Sequence, residues 1–278
     1  IKGAYVRGKT YTGGITGHIA PSVASKNIIV GENDYPVYIV GSNYTSGIGY
    51  QNRGDSNNST FATVEDSTVQ YTYISGGTNT AGVLSAGSWY ATIKRTIVDK
   101  CFIKGTGDTT SGIDSNALGV EACLVKDSVI KGTSYVSGIG RGQSSALIHV
   151  AVENTKIEGS GDYIGGIFGY TSAQQGAYDV AVVGCEIIGN GTTSTGIGGY
   201  AGRNEGSGQT NTFVTVNDTV IKGATGVGGI VGIGIGGTYN FVNCDAKVEA
   251  TGSAAGSFAG ILYDYYYDKR GYISNDHA

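Results

Sequence analysis

Four cysteines, three histidines and a scatter of carboxylates are the side chains of this 278-residue chain able to ligate a metal, attack a carbonyl or move a proton. Their spacing assembles none of these reactions. His18, His149 and His277 lie far apart, outside any His-Glu-x-x-His pattern and in no zinc-like spacing with Cys101, Cys123, Cys185 or Cys244. No Gly-x-Ser-x-Gly elbow is present to hold a serine nucleophile. Gly232 to Gly237 fits the pattern Gly-x-Gly-x-x-Gly, but it leads into Thr238-Tyr239-Asn240-Phe241, which reads as a strand where a dinucleotide site needs the start of a helix. No glycine-aspartate nonapeptide of the calcium-binding kind occurs. The expectation is a non-catalytic chain without a cofactor or metal.

Residues suited to binding are more plentiful. Of 20 tyrosines, the densest group is Tyr263-Asp264-Tyr265-Tyr266-Tyr267-Asp268. Tyrosine offers apolar area with a polar tip, so this group reads either as an assembly contact or as an aromatic cover over the last structural unit. Asn43, Asn57, Asn58, Asn190 and Asn217 each open an Asn-x-Ser/Thr sequon, which marks candidate glycan sites in an exported chain. Charged residues make up only 14% of the chain and the net charge is −4, which excludes a basic field for nucleic acid. The least charged stretch, Gly226 to Gly237, is far short of the roughly 20 apolar residues that span a bilayer. The chain contains no methionine and starts at Ile1, which is read as an exported protein whose signal has been removed, located at the cell surface or envelope.

The elements that would position these residues follow from internal repetition. Ile-Lys-Gly occurs at Ile1 to Gly3, Ile103 to Gly105, Ile130 to Gly132 and Ile221 to Gly223, with relatives at Ile157 to Gly159 and Ile187 to Gly189. A glycine followed by an aliphatic residue comes after it, at Gly14-Ile15, Gly47-Ile48, Gly82-Val83, Gly112-Ile113, Gly138-Ile139, Gly166-Ile167, Gly196-Ile197, Gly229-Ile230 and Gly260-Ile261. Successive pairs lie 26 to 35 residues apart, about nine units in all. Before each Ile-x-Gly from the third unit on comes a tetrapeptide of one form: Val64 to Ser67, Val125 to Ser128, Val152 to Thr155, Val216 to Thr219 and Phe241 to Cys244. Its Asn or Asp stands where the chain should bend, because those residues tolerate left-handed backbone angles. Period-two alternation then points Val, the Ser/Thr/Cys and Ile inward and Lys or Glu outward.

Short strands separated by corners, recurring in phase, predict an all-β fold: a parallel β-solenoid of about nine coils of 26 to 35 residues, without long helices. A β-sandwich or antiparallel barrel would not need like residues to recur in phase. The whole of 1–278 reads as a single repeat domain: irregular coils over 1–62, regular coils over 63–262 and a Tyr-rich segment over 263–278. In that frame Cys101, Cys185 and Cys244 share one repeat position, three and two coils apart. At about 4.8 Å per coil they stand roughly 14 Å and 10 Å from one another, beyond the ~7 Å limit of a disulfide. Cys123 falls at an inward position held elsewhere by Val150, Val180 and Val214. Buried thiols and disulfides between neighbouring molecules are the alternatives. Parallel β-helices also carry polysaccharide lyases and hydrolases, and Asp108, Asp114, Asp162 and Glu205 are candidate groove acids, but no two stand at a separation that defines an acid–base pair.

Assembled as Asn/Asp, then Ser/Thr/Cys, then Ile-x-Gly, then Gly-Ile-x-Gly, the motif resembles the glycine-rich GLUG-type repeats of microbial surface proteins. Gly165 to Gly169, Gly228 to Gly232 and the step Asn243-Cys244 match best. Pro36 stands at a corner position and Ala250 at a glycine position, so the end coils depart from the pattern. The resemblance, which extends to ancillary regions of immunoglobulin A metallopeptidases, implies a surface location and no chemistry of its own. In composition the chain is also similar to the amyloid-like proteins that form the sheaths of methanogenic archaea.

The repeat starts in mid-motif at Ile1-Lys2-Gly3, with no capping segment before it, and Tyr263 to Ala278 has no helical period. The functional expectation is therefore an extracellular structural protein that pairs with itself through end strands, with Ile1, Lys2, Gly3, Tyr263, Tyr265, Tyr266 and Tyr267 as assembly contacts. Surface glycans and other envelope proteins are secondary partners. The alternatives are an adhesin or stalk module of a larger surface protein and a carbohydrate-active β-helix.

Overall fold

The computed structural model describes residues 1–20, 23–51, 62–86, 91–116, 119–142, 146–172, 175–206, 208–262 and 272–274. Within them the chain is all β, wound as a stack of parallel coils. One 20-stranded sheet bends around two corners, a nine-stranded sheet forms the next face, and five-stranded and two-stranded sheets complete the circuit. Strands pair in parallel with the equivalent strand one coil on. The nine-stranded sheet counts the expected nine coils.

Alternation decides which residues enter the core. One inward ladder runs Val6, Ile39, Ile74, Ile103, Ile130, Ile157, Ile187, Ile221, Val248, each residue directly beside the next. A second runs Val30, Val69, Val98, Val125, Val152, Val182, Val216, Cys244. From Ile39 to Ile221 and from Val30 to Val216 these side chains are 1% exposed or less, a dry interior in which each filled position is worth about 1.5–3 kcal/mol.

Two corners of the 20-stranded sheet use left-handed backbone through most of the coils. The first carries Asn27, Asp66, Arg95, Ala122, His149, Asp179, Phe213 and Phe241, at φ between 46° and 56°. The second carries Tyr71, Lys100, Asp127, Asn154, Gly184 and Asp218. A non-glycine residue in this region costs about 1 kcal/mol, and the residue that follows offsets it. At the second corner Thr72, Cys101, Ser128, Thr155, Cys185 and Thr219 each donate from the side chain to the carbonyl two residues back, at 2.7 to 3.4 Å. Ser67, Thr96 and Cys123 do the same at the first corner. The Ser, Thr or Cys of the repeat is thus a clamp across a strained bend.

Several phases differ from those expected. Asp66 belongs to the first corner, whereas Asp127, Asn154 and Asp218 form part of the second. The local string Val-x-Asp/Asn-Ser/Thr suits either bend, and only the pairing distinguishes them. In the last coil Val242 lies beside Val214 and Cys244 beside Val216, so Phe241 is a first-corner residue and does not point inward. That coil lacks a second-corner residue altogether: Asn217 pairs with Asp245 and Thr219 with Ala246, leaving Asp218 without a counterpart. Ile1-Lys2-Gly3 is out of phase with Ile130-Lys131-Gly132, and Val6-Arg7-Gly8 takes that position. Pro36 and Ala250 do stand at the corner and glycine positions expected of them.

The glycine before each aliphatic residue makes a close approach that recurs from coil to coil along the stack. At Gly14, Gly47, Gly82, Gly112, Gly138, Gly166, Gly199 and Gly229 an added Cβ would lie 1.9 to 2.3 Å from the carbonyl oxygen of the equivalent residue one coil on. Backbone bonds place Tyr200 beside Ile167 and Ile230, and Phe258 after Ile230. The seventh and ninth pairs are therefore Gly199-Tyr200 and Ser257-Phe258 in place of Gly196-Ile197 and Gly260-Ile261. A Gly138→Ala substitution is expected to destabilise the protein by about 1–3 kcal/mol through overpacking against Gly166 O. Gly119→Ala, where the nearest atom is 3.8 Å away, should change the urea midpoint little; equal midpoints for the two variants would refute the close-approach argument.

Candidate functional site

In the interior the strands pair on both sides, so among the described residues the open strand edges lie at the two ends of the stack. At the N-terminal end the strands Tyr5–Arg7, Tyr11–Gly13 and Ala24–Lys26 each pair on one side only among the described residues, whereas the outer edge of Ile29–Val30 is bonded by Ile1, whose amine donates to Ile29 O at 2.7 Å and whose carbonyl accepts from Gly31 N at 2.9 Å. Ala4, Val6 and Ile28 sit on the core there but are only partly buried. At the C-terminal end Tyr272–Ser274 covers only Thr238 to Asn240 of the strand Thr238–Ala250. The edge from Asp245 to Ala250 and the strands Ala255–Gly256 and Ala259–Leu262 have no strand paired outside them among the described residues. Cys244, Ala246, Val248, Ala250 and Phe258 are the partly buried core residues of this face. Both ends thus combine an unpaired parallel edge with an uncovered apolar ladder, the arrangement that recruits a further strand.

Ile1 is 43% exposed, its carbonyl accepting from Gly31, while Lys2 pairs with Glu32 at 2.5 Å and Gly3 adopts φ 57°. These three flank the N-terminal edge without forming the repeat strand itself. Tyr263, Tyr265, Tyr266 and Tyr267 lie outside the described residues, as do Asn57, Asn58 and His277. Asn43 and Asn190 are exposed. Asn217 lies within the strand Thr210–Gly223 with its side-chain oxygen buried, a poor position for a glycan.

The cysteines separate into two kinds. Cys101, Cys123 and Cys185 are no more than 3% exposed and donate to strand carbonyls. Burial pushes their thiols up, to about 12 for Cys101 and about 11 for Cys123 and Cys185. Such neutral, enclosed thiols have no path to another molecule's cysteine. Cys244 lies in the Val216 ladder and not in that of Cys101 and Cys185, because Phe241 takes the first corner; it is half-buried near the C-terminal face, 3.5 Å from Ser257 O.

The carboxylates serve the outer ladders. Hydrogen bonds from Lys26, Arg95, Lys94 and Lys247 hold Glu65, Asp66, Glu121 and Glu249, respectively, below the usual carboxylate range. These are anionic partners and not proton donors. Of the candidate groove acids, Asp108 is exposed, Asp114 is buried and accepts from Asn116 N, Asp162 accepts from Thr195, and Glu205 is held by Tyr170 and Arg203. Asp108 and Asp114 share one coil, Asp162 and Glu205 lie on two others, and the partners of Asp114, Asp162 and Glu205 are separate. His149 bonds Asp179 at 2.7 Å, and no group of three His, Cys, Asp or Glu able to hold a metal occurs among the described residues. The Gly232 to Gly237 run leads into strand Thr238–Ala250, as its sequence indicated.

Three aromatic arrangements were not legible in the sequence. Arg141 lies over Tyr135 and Tyr170, at 4.4 and 5.5 Å, and Arg203 over Tyr163. Phe213 and Phe241 stack at the first corner, 43% and 52% exposed. Tyr38, Tyr73 and Phe102 form an outward ladder beside a groove of about 300 Å³, with Tyr73 and Phe102 parallel and 5.3 Å apart. Rings one coil apart cover one another's faces, so this ladder is a wall of the rod before it is a platform for a ligand.

No protein-family model matches the chain, and no curated protein is similar to it. Among solved structures, the crystal structure of a candidate immunoglobulin A1 protease from Bacteroides ovatus is similar over 88% of this chain and 79% of that one, at 12% identity and a TM-score of 0.38. A likeness that distant carries no statement about activity.

The thiols supply a prediction with a definite sign. Their folded pKa values lie above the ordinary ~8.5, so the stability they contribute is complete below about pH 8.5 and is lost as pH rises toward 11–12. The Cys101→Ser/Cys185→Ser variant, which places in each site the hydroxyl that Ser128 already uses, should lose less stability over that range than the parent, measured as the difference in urea midpoint. In native protein a thiol reagent should titrate Cys244 rapidly and the other three only on unfolding; rapid reaction of all four would overturn the burial assignment.

Proposed function

We propose that the chain is a non-catalytic, extracellular structural protein that self-assembles through its open β edges into a cell-surface sheath, wall or filament. The observation that supports this reading is the state of the two ends, where parallel edges and the Val/Ile ladders stop without a cover among the described residues. A repeat stack gains stability from each added interface, and an uncovered end forgoes one. A second copy supplies the same strand types in the same phase. Surface glycans or other envelope proteins would then bind the sides of the rod, where Asn43 and Asn190 are exposed.

The same open ends favour one further reading, a stalk or adhesive module joined covalently to more coils. The two are separated by the gene: a reading frame that continues into further repeats, an anchor or a peptidase domain supports the stalk.

For the assembling protein, sedimentation and negative-stain micrographs of the purified full chain should show rods whose length grows with concentration. Fibre diffraction should give a reflection near 4.8 Å along the rod axis, since strands lie across it. Monodisperse single copies at every concentration tested would defeat this reading.

A further inference from the structure

We infer that copies join head to tail and in register, the Asp245 to Ala250 edge of one receiving the Tyr5–Arg7 strand of the next, with a charge clamp between Glu249 and Arg7. The inference rests on the assembly proposed above and adds its polarity, its register and its weak point.

Register follows from pairings inside one molecule. An unbroken series of neighbours places Val6 and Val248 in one inward ladder and Arg7 and Glu249 in the adjacent outward one. A copy added one coil beyond the C-terminal face therefore sets its Val6 against Val248 and its Arg7 against Glu249. Both apolar residues are only partly buried in the single chain and would be covered by this step. The outward ladder already uses cation over carboxylate one coil apart, in Lys131 with Glu158 at 2.6 Å and Lys222 with Glu249 at 3.1 Å. Arg7 is exposed and has no ion-pair partner among the described residues. Glu249 keeps 39% of its side chain exposed.

Polarity follows from strand direction. Joining like faces turns the meeting strands antiparallel, which sets Arg7 opposite Tyr5 when Val6 meets Val6 and Glu249 opposite Lys247 when Val248 meets Val248. Only the head-to-tail junction sets Arg7 against Glu249 and extends the parallel hydrogen bonding that the interior uses throughout.

One position resists closure. Ser257 takes the place held by glycine in the preceding coils, and a Cβ at that place points at the carbonyl of the following coil, at 1.9 to 2.3 Å in the interior. At the junction that carbonyl belongs to Gly14 of the next copy. The interface closes along the Val248 side and stays splayed at Ser257, which makes each junction weaker than an interior step.

The test uses two single-charge variants of the full chain. Glu249→Arg alone sets Arg against Arg7, and Arg7→Glu alone sets Glu against Glu249; each should raise the concentration needed for assembly by about tenfold or more. Mixed one to one, they should co-assemble at the parent's concentration, since every junction in an alternating filament is again unlike in charge. Neither a misfolded variant nor a face-to-face dimer would be rescued by mixing. Ser257→Gly should lower the assembly concentration below the parent's. Filaments that form from the parent but are indifferent to both single variants, or single-variant defects that mixing does not rescue, would overturn the register and polarity while leaving self-assembly intact. A parent that stays monomeric removes the proposed function as well.

Discussion

The backbone of each coil passes so near the next that a single Cβ does not fit between them, and the rest of the structure depends on that approach. Eight glycines in register, from Gly14 to Gly229, let the nine-stranded face and the following face meet at a sharp corner while keeping their inter-coil hydrogen bonds. A slip of one residue would drive a side chain into a carbonyl and turn the Val and Ile ladders outward at the same time. Close approach and apolar patterning therefore specify the same register, and this agreement leaves little room for a competing fold.

The corners show how strain is absorbed. Left-handed backbone at Asp127 or Asn154 is locally unfavourable, yet the next hydroxyl or thiol ties back to the carbonyl before the bend, and in places it also accepts from the coil below, as Ser128 does from Cys101 N and Thr155 from Ser128 N. The bond serves the bend and the stack together. Cysteine takes part as a larger, weaker version of serine, which accounts for thiols that are buried and raised in pKa at Cys101, Cys123 and Cys185.

Toward the C-terminal end the interior changes character. Tyr200 replaces the aliphatic residue of its ladder and donates to Asn211 Oδ1 at 2.8 Å, while Asn204 donates to the Tyr239 hydroxyl. Tyr200, Asn204 and Asn211 are fully enclosed, so these bonds are needed to offset the desolvation of their polar groups. The coils that mix aromatic and amide groups follow the Val and Ile coils and lead to the last coil, which has lost both its second corner and its glycine. The stack is regular in the middle and distinct at each end.

The amino-acid sequence alone determined the solenoid, its number of coils, the inward Ile of Ile-x-Gly, the bend at Asp127 and Asn154, and the absence of a helix after Gly237. Those features repeat, and repetition in phase is readable without coordinates because stacking requires like residues to face like. Which of two similar bends Asp66 occupies, which glycine of Gly196, Gly198 and Gly199 makes the close approach, that Val6 and not Ile1 opens the Ile ladder, and that Cys244 leaves the Cys185 ladder were decided only by tertiary structure. Local strings such as Val-x-Asp-Ser or Gly-Ile-Gly-Gly satisfy more than one phase, and the choice is made by hydrogen bonds to a coil some thirty residues away, whose geometry no short stretch of chain contains.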